Sequence, residues 1–179
     1  MSQAQKSDAP KSDADKYVDQ WLRDAHAMEK QAESILEGQI KRIENYPELA
    51  ERMQTHLKET TSQRERLEAC MERRGTSTSS VKDVSAQFIA TMQNLSGVFV
   101  GDEVVKGVLA SYTFEAMEIA SYRILSQAAE DEGDHETAQL CKELCKEEEA
   151  MADWLKQHMP SITTAFIGRA ASDDANAKR

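Results

Sequence analysis

The chain has 179 residues and a formal net charge of −10, with only seven glycines and three prolines. This length suits one domain with a sizeable core. Its abundant Ala, Glu, Lys, Gln, Met and Leu indicate an all-α protein, because these residues lose little rotamer freedom in a helix. The acidic balance argues against nucleic acid as a partner, since phosphate binding requires clustered Lys and Arg.

Hydropathy and cysteine usage narrow the class of protein further. No apolar run approaches the roughly 20 residues of a membrane span, and the first residues lack the apolar stretch of a signal peptide. Three cysteines do not make a disulfide framework. We therefore expect a cytoplasmic protein with no membrane partner. Cys141 and Cys145 are four residues apart and are interpreted as small core residues, since without a nearby third ligand they make a weak zinc site.

The first half of the chain predicts a polar tail and a helical hairpin. Residues 1–15 have almost nothing to bury and are predicted to be disordered. A first helix is predicted from about Lys16 to Asn45, where Tyr46-Pro47 breaks it. A second is predicted from Pro47 to Arg74, with Pro at its start and Gly75 after its end. The predicted buried stripes are Leu22, Ala25, Glu29, Ala32 and Leu36, and Leu49, Met53, His56, Thr60, Gln63, Leu67 and Cys70.

A long connection from residue 76 to about Asp102 separates this hairpin from a second one. The segment 81–93 within it predicts a short helix. A third long helix is predicted from about Glu103 to Glu132 and a fourth from His135 to Met159, stopped by Pro160; residues 170–179 are predicted to be a disordered tail. Two tight hairpins joined by one long crossover predict a ferritin-like four-helix bundle over residues 16–169.

An internal repeat relates the two predicted hairpins. HAMEKQAESIL at 26–36 matches EAMEIASYRIL at 115–125, which aligns Glu29 with Glu118. The same offset aligns Glu59 with Glu148 in the partner helices. Such short matches also arise by chance between Ala- and Glu-rich helices, but one shared offset across two helices favours a true repeat. Each hairpin would therefore bring one glutamate per helix into a common core.

Glutamates at core positions predict a metal site. An ionised carboxylate in a core is costly unless it is paired or bound to a cation, and hard oxygen ligands suit iron or manganese. Di-metal bundles use Glu from two helices and Glu-x-x-His from the other two. Here Ser62 and Met151 occupy the positions where those histidines were expected. The candidate metal ligands are Glu29, Glu59, Glu115, Glu118 and Glu148.

Each candidate also has a simpler interpretation. The glutamates can instead form surface ion pairs, and Glu147 competes with Glu148 for the ligand position. His56 on the predicted core face suits a hydrogen-bonded core histidine better than a ligand, and His26 is a weaker candidate. Gln63 can ligate or hydrogen-bond a ligand. Tyr112 and Tyr122 suit core packing, with a role beside the site as the alternative, and His135 and His158 suit helix-end surface positions.

Four segments together resemble the YciE/YciF family of bacterial, stress-associated ferritin-like proteins. They are DAHAMEKQ (24–31), THLKETTSQRERLE (55–68), FEAMEIASY (114–122) and EEEAMADWL (147–155), and the resemblance extends from about Tyr17 to Phe166. It implies a ferritin-like bundle, often a homodimer, with a di-iron centre on the four long helices. The five glutamates already named would be its ligands.

Two functions follow from this interpretation. The first is a non-haem protein with two iron ions, or manganese, that acts on dioxygen or hydrogen peroxide in an oxidative or general stress response. The second is a non-enzymatic, dimeric bundle that acts as a stress or scaffold protein without a working metal centre. The missing Glu-x-x-His histidines motivate the second. A mineral-storing cage is a weaker third interpretation, because it requires assembly surfaces that the sequence does not reveal.

Overall fold

The computed structural model describes residues 12–77 and 103–172, which form four helices. These are α1 (Asp13–Ile40), α2 (Pro47–Arg74), α3 (Glu103–Asp131) and α4 (His135–Ala171). Helices α1 and α2 form one hairpin, α3 and α4 form another, and the hairpins pack through α1 against α3 and α2 against α4. The predicted ferritin-like bundle is confirmed. The predicted short helix at 81–93, and the tails at 1–11 and 173–179, lie outside the described residues.

The first hairpin shows how well local signals set helix ends. Helix α2 begins and ends where predicted, and Gly75 adopts the left-handed conformation with φ 70° that terminates it. Helix α1 begins earlier than expected because Ser12 caps it by accepting a hydrogen bond from the backbone N–H of Asp15. It also ends five residues earlier than predicted, at Ile40, and the following turn buries Tyr46 against α2.

The predicted end of the fourth helix at Met159 is wrong. Helix α4 continues through Pro160 to Ala171, although a proline inside a helix costs about 3 kcal/mol. The continuation buries Ile162 and packs Phe166 against the apolar cluster around Leu49. Because burying one large aliphatic side chain contributes about 1.5–3 kcal/mol, this packing offsets much of the proline penalty.

The bundle core consists of two apolar clusters separated by a polar layer. One cluster lies at the end that holds the α3–α4 turn and includes Leu22, Leu67, Tyr122, Leu125, Cys141 and Leu144. The other includes Leu36, Leu49, Met53, Val108, Met151 and Leu155. The stripes predicted for α1 and α2 are all buried. Between the clusters each helix contributes buried polar residues, so the fold places a polar layer across the middle of the bundle.

A second polar feature fixes one end of the bundle. Asp134 caps α4 by accepting a hydrogen bond from the backbone N–H of Thr137. Its carboxylate also pairs with Arg73 at 2.9 Å and with Arg74 at 2.5 Å, and Arg74 in turn pairs with Asp19 of α1 at 2.7 Å. This network therefore joins α1, α2 and the α3–α4 turn.

No described helix is both long and apolar enough to cross a bilayer.

Replacing Asp134 with Ala removes a helix cap and the acceptor for two arginines. We expect the free energy of unfolding to fall by about 2–3 kcal/mol, since a cap contributes about 1 kcal/mol and charge-assisted hydrogen bonds add to it. Denaturant titration measures this change. Asp153→Ala alters an exposed aspartate of the same helix and should change stability by less than about 0.5 kcal/mol. Equal losses in the two variants would contradict the assigned role.

The same carboxylate predicts an acid-dependent loss of stability. Partial burial disfavours its charged form, but hydrogen bonds from Thr137, Arg74 and Arg73 outweigh burial and lower the pKa of Asp134 from 3.8 to about 2. A depressed pKa stabilises the fold above the unfolded-state pKa and loses that effect as pH falls through the folded value. The stability difference between wild type and Asp134→Asn should therefore be constant above about pH 5 and shrink toward pH 2, which melting curves measure. A difference independent of pH would refute this.

Candidate metal centre

The polar layer brings four glutamates together from three helices. Glu29 comes from α1, Glu115 and Glu118 from adjacent turns of α3, and Glu148 from α4; each is at most 3% exposed. Glu115 and Glu118 share a helix face because residues three apart are neighbours on a helix. These are four of the five predicted ligands. The repeat predicted core positions for Glu29, Glu118 and Glu148, but its fourth member, Glu59, is 34% exposed.

His56 completes the layer from α2. Its Nε2 atom lies 3.2 Å from Oε2 of Glu115 and 3.4 Å from Oε2 of Glu148. Potential ligand atoms of His56, Glu115, Glu118 and Glu148 all lie within 4.8 Å of one another. The imidazole was expected to be a core histidine rather than a ligand, but the structure places it among the carboxylates.

Glu59, the fifth predicted ligand, lies on the other side of His56. Its Oε2 atom is 3.0 Å from Nδ1 of His56 and 3.0 Å from a guanidinium nitrogen of Arg52. The side chain of Glu59 is 34% exposed, so it lies at the rim of the bundle. A carboxylate that accepts a proton from Nδ1 leaves Nε2 facing the layer, which is how ligating histidines are commonly oriented.

Tyr122 provides a second oriented contact within the layer. Its hydroxyl is fully buried and donates a hydrogen bond to Oε1 of Glu29. Tyr122 was expected to pack in the core or to lie beside the site, and it does both, since its ring belongs to an apolar cluster. The hydroxyl therefore fixes one oxygen of Glu29 and leaves the other, Oε2, to face the layer.

Burial and mutual repulsion raise the proton affinity of the carboxylates. Burial raises the pKa of Glu29 from 4.5 to about 8, against the hydrogen bond from Tyr122. Burial and the charges of neighbouring glutamates raise the pKa values of Glu118 and Glu148 well above their usual range. Burial disfavours a charged His56, but the adjacent carboxylates outweigh it and raise its pKa to about 10. The layer thus strongly attracts positive charge.

Several inward oxygens of the layer have no hydrogen-bond partner among the described residues. They are Oε2 of Glu29, Oε1 of Glu118 and Oε1 of Glu148. Within the described part of the chain, Oε2 of Glu115 and Oε2 of Glu148 have only their ion-pair contacts with Nε2 of His56. Buried oxygens without donors are rare in folded proteins because they carry a desolvation cost. Such oxygens together with one imidazole nitrogen form a hard donor set that suits iron or manganese. The side chains present therefore fit a metal site.

Gln63 and Glu147 meet at the α2–α4 side of the layer. Gln63 is fully buried, and its Nε2 donates to Oε2 of Glu147 at 3.0 Å. The same oxygen of Glu147 accepts a hydrogen bond from Arg66 at 2.5 Å. Glu147 therefore points away from the core, while its neighbour Glu148 points into it. The sequence left this choice open.

The remaining candidates lie apart from the layer. His26 is buried, and its Nε2 contacts Glu68 at 2.8 Å. Tyr112 packs in the second apolar cluster. His135 is exposed and approaches Glu130, whereas His158 stacks on Trp154 with ring centroids 3.9 Å apart.

The cysteine thiols are core groups, as predicted. Cys141 is fully buried, and burial raises the pKa of its thiol to about 12. Cys70 and Cys145 are also buried and free. A thiol with a raised pKa is a poor nucleophile and a poor metal ligand, because both roles need the thiolate.

Sequence reasoning missed the arginines that orient the site. Arg52 lies seven residues before Glu59 on α2, and Arg66 contacts Glu147 across two helices. The first pair has a weak sequence signal, since residues seven apart share a helix face. The second depends on the packing of α2 against α4 and has no local signal.

Comparison with known proteins shows the family to which this chain belongs. Residues 13–168 match the family described as a domain of unknown function, DUF892. A solved protein from Xanthomonas campestris pv. campestris is 37% identical, with a TM-score of 0.75 over 88% of this chain and 99% of that one. YcfI from Rhodopseudomonas palustris is 24% identical with a TM-score of 0.69, over 84% and 97% of the two chains. The E. coli stress protein YciF is also 24% identical, with a TM-score of 0.66 over 83% and 96%.

Glu118→Gln should stabilise the chelator-treated protein and weaken its metal response. An amide at this position removes one mutually repelling acid and can donate to its neighbours, so we expect the melting temperature to rise by a few degrees. The rise on adding Mn²⁺ should be lost because a ligand is missing. Thermal melts with and without metal measure both effects.

Glu147→Gln is the matched control for this experiment. It changes a neighbouring carboxylate that pairs with Arg66 at the rim, so the chelator-treated protein should not be stabilised and the metal response should remain. A Glu118→Gln protein that melts lower and still responds to metal would contradict the assigned role of Glu118.

Proposed function

We propose that this chain, which belongs to the DUF892 family of YciF-like proteins, uses its polar layer as a non-haem centre for two iron or manganese ions. The centre would act on dioxygen or hydrogen peroxide. The observation that carries the proposal is the buried cluster of His56, Glu115, Glu118 and Glu148, whose ligand atoms converge between two apolar clusters. Glu29 is buried beside this cluster and interacts with the charges of His56 and Glu115.

Charge balance supports two divalent ions rather than one. Glu29, Glu115, Glu118 and Glu148 carry four negative charges when ionised, and His56 contacts two of them, Glu115 and Glu148. Two divalent cations would neutralise four carboxylates completely and leave the imidazole neutral, as a ligating histidine must be. A single divalent ion would leave two buried charges uncompensated, which is costly in a core.

The ligands proposed for the two ions come from all four helices. They are Glu29, His56, Glu115, Glu118 and Glu148. Glu59 takes a different role from the one predicted. It holds Nδ1 of His56, and Arg52 holds Glu59, so that Nε2 points at the layer. This replaces the Glu-x-x-His spacing of other di-metal bundles by His-x-x-Glu, in which the glutamate orients the histidine.

The ions, when bound, would supply Lewis acidity and one-electron redox chemistry toward a small oxidant. The protein shields the site from bulk water, because the layer lies between two apolar clusters. Tyr122 holds one oxygen of Glu29 through its hydroxyl. Burial and the nearby glutamates raise the pKa of Tyr122 well above its usual range, so the hydroxyl keeps its proton and remains a hydrogen-bond donor that orients Glu29.

The description of one structural relative suggests the conditions under which this chain acts. E. coli YciF is described as a stress protein, and a protein that consumes oxidants suits oxidative or general stress. We propose the same setting for this chain.

A non-enzymatic homodimeric bundle is the second candidate function. It is favoured by the contacts of His56 with Glu115 and Glu148, since an imidazolium there satisfies part of the layer without metal. Leu109 and Ile124 on α3 are 61% and 58% exposed, which supports a helix face covered by a second copy. In this case metal would leave the melting temperature unchanged.

Metal loading separates the two functions. Protein loaded anaerobically with Fe²⁺ should bind about two ions per chain, measured by elemental analysis after desalting, and should then consume dioxygen or hydrogen peroxide. The melting temperature should rise by about 5–10 °C, because a ligand at 100 times its Kd contributes about 2.7 kcal/mol.

The double variant Glu29→Ala and Glu118→Ala provides the negative control. It should retain the helical circular dichroism spectrum and lose the bound metal and the melting shift. Fewer than about one ion per chain in the wild type, with no melting shift, would overturn the metal centre and favour the second candidate.

A further inference from the structure

Gln63 carries a buried acceptor that the proposed ligand set does not use. The side chain is 0% exposed on the core face of α2. Its Nε2 donates to Glu147 at 3.0 Å. A carboxylate only accepts hydrogen bonds, so the amide nitrogen must face Glu147 and the amide oxygen must face the other way. That oxygen, Oε1, has no hydrogen-bond partner among the described residues.

An ion pair at the rim holds this amide in place. Oε2 of Glu147 is 2.5 Å from a guanidinium nitrogen of Arg66, and the two side chains are 34% and 32% exposed. The arrangement is the counterpart of Arg52–Glu59–His56, in which an arginine fixes a carboxylate and the carboxylate fixes a buried side chain of α2. In that case the fixed atom, Nε2 of His56, faces the buried glutamates.

The position of Gln63 along the bundle places it beside the same glutamates. It bonds to Glu147, which directly precedes Glu148 on α4, and successive residues rise only about 1.5 Å along a helix. Gln63 and Glu148 therefore lie at nearly the same level between α2 and α4.

The chemistry of an amide oxygen limits what it can bind. It accepts a hydrogen bond or ligates a cation, and it repels other acceptors. When metal is bound, the nearby carboxylates are ionised ligands that only accept hydrogen bonds, so they cannot satisfy this oxygen. A small molecule with an O–H group can.

We propose that Gln63 Oε1 accepts a hydrogen bond from a protic oxygen ligand held beside Glu148: water in the resting protein and hydrogen peroxide during reaction. The peroxide part rests on the proposed function of the centre. The hydrogen bond selects hydrogen peroxide over dioxygen, because dioxygen has no proton to donate. Glu147 and Arg66 are positioning residues, since they act through Gln63.

A crystal structure of the full chain loaded with Mn²⁺ tests the geometry directly. We expect an ordered solvent oxygen about 2.7–3.0 Å from Oε1 of Gln63, and we expect it to be absent in Gln63→Leu. A manganese ion bonded to Oε1 would overturn the proposal and make Gln63 a ligand. An empty space at Oε1, or a protein donor bonded to it, would also overturn it.

Kinetics with hydrogen peroxide tests the role in binding. Gln63→Leu should raise the KM for hydrogen peroxide about 3- to 10-fold, the effect of one hydrogen bond, and leave the metal content and the KM for dioxygen unchanged. Gln63→Met provides a second variant if the leucine protein folds poorly. Glu147→Gln should give a smaller rise, because its amide can bond Gln63 in either orientation.

Thr60→Val is the packing control, since Thr60 is buried on the same face of α2. It should leave the KM for hydrogen peroxide unchanged. Loss of metal in Gln63→Leu, an unchanged KM, or an equal rise in Thr60→Val would each overturn the proposal. If the wild type binds metal without consuming peroxide, the proposed function fails while the solvent oxygen still decides the role of Gln63.

Discussion

Mutual repulsion among four buried glutamates is the constraint on which the rest of this structure depends. Glu29, Glu115, Glu118 and Glu148 meet in a core where an isolated charge is strongly disfavoured. The two apolar clusters on either side supply the stability that lets the bundle tolerate this layer. A protein that needed only stability would place apolar residues here, whereas this layer is a set of buried side chains that could hold a metal ion.

Helix α2 has a different role from the other three. It contributes neutral or cationic groups, His56 and Gln63, where the others contribute acids. Each of these side chains is hydrogen-bonded to a carboxylate on the side away from the glutamates. Glu59 bonds His56 and pairs with Arg52, and Glu147 bonds Gln63 and pairs with Arg66. Glu59, Glu147 and Arg66 are each about one-third exposed, so these charges reach solvent while the atoms that they orient are buried. The bundle thus controls the direction of buried polar atoms without burying further charge.

The helices, their buried faces and part of the candidate ligand set could be predicted from the sequence pattern. The stripe through Leu49 and Met53 follows the helical repeat, and Pro47 and Gly75 set the ends of α2 because their backbone preferences are local. The internal repeat identified Glu29 and Glu118 because both hairpins use equivalent core positions.

Tertiary packing decided what the sequence left open or predicted wrongly. Periodicity placed His56 on the core face of α2, whereas the internal repeat made Glu59 a predicted ligand. The structure places Glu59 at the rim, where it contacts Arg52. Pro160 was expected to end a helix, but burial of Ile162 carries the helix onward. Likewise, nothing local to Glu147 reveals that Arg66 will hold it at the rim.

The division of the layer between the two hairpins has a consequence for how the protein assembles. The first hairpin carries Glu29 and His56, a nearly neutral pair, whereas the second carries Glu115, Glu118 and Glu148. Each hairpin can form through local contacts, which are made early because they close short loops. Docking brings Glu29 and His56 against three acids, so the burial cost and the repulsion of the layer, together with the ion pairs of His56, arise only when the hairpins meet. A cation present at that step would act as a template that draws the two hairpins together.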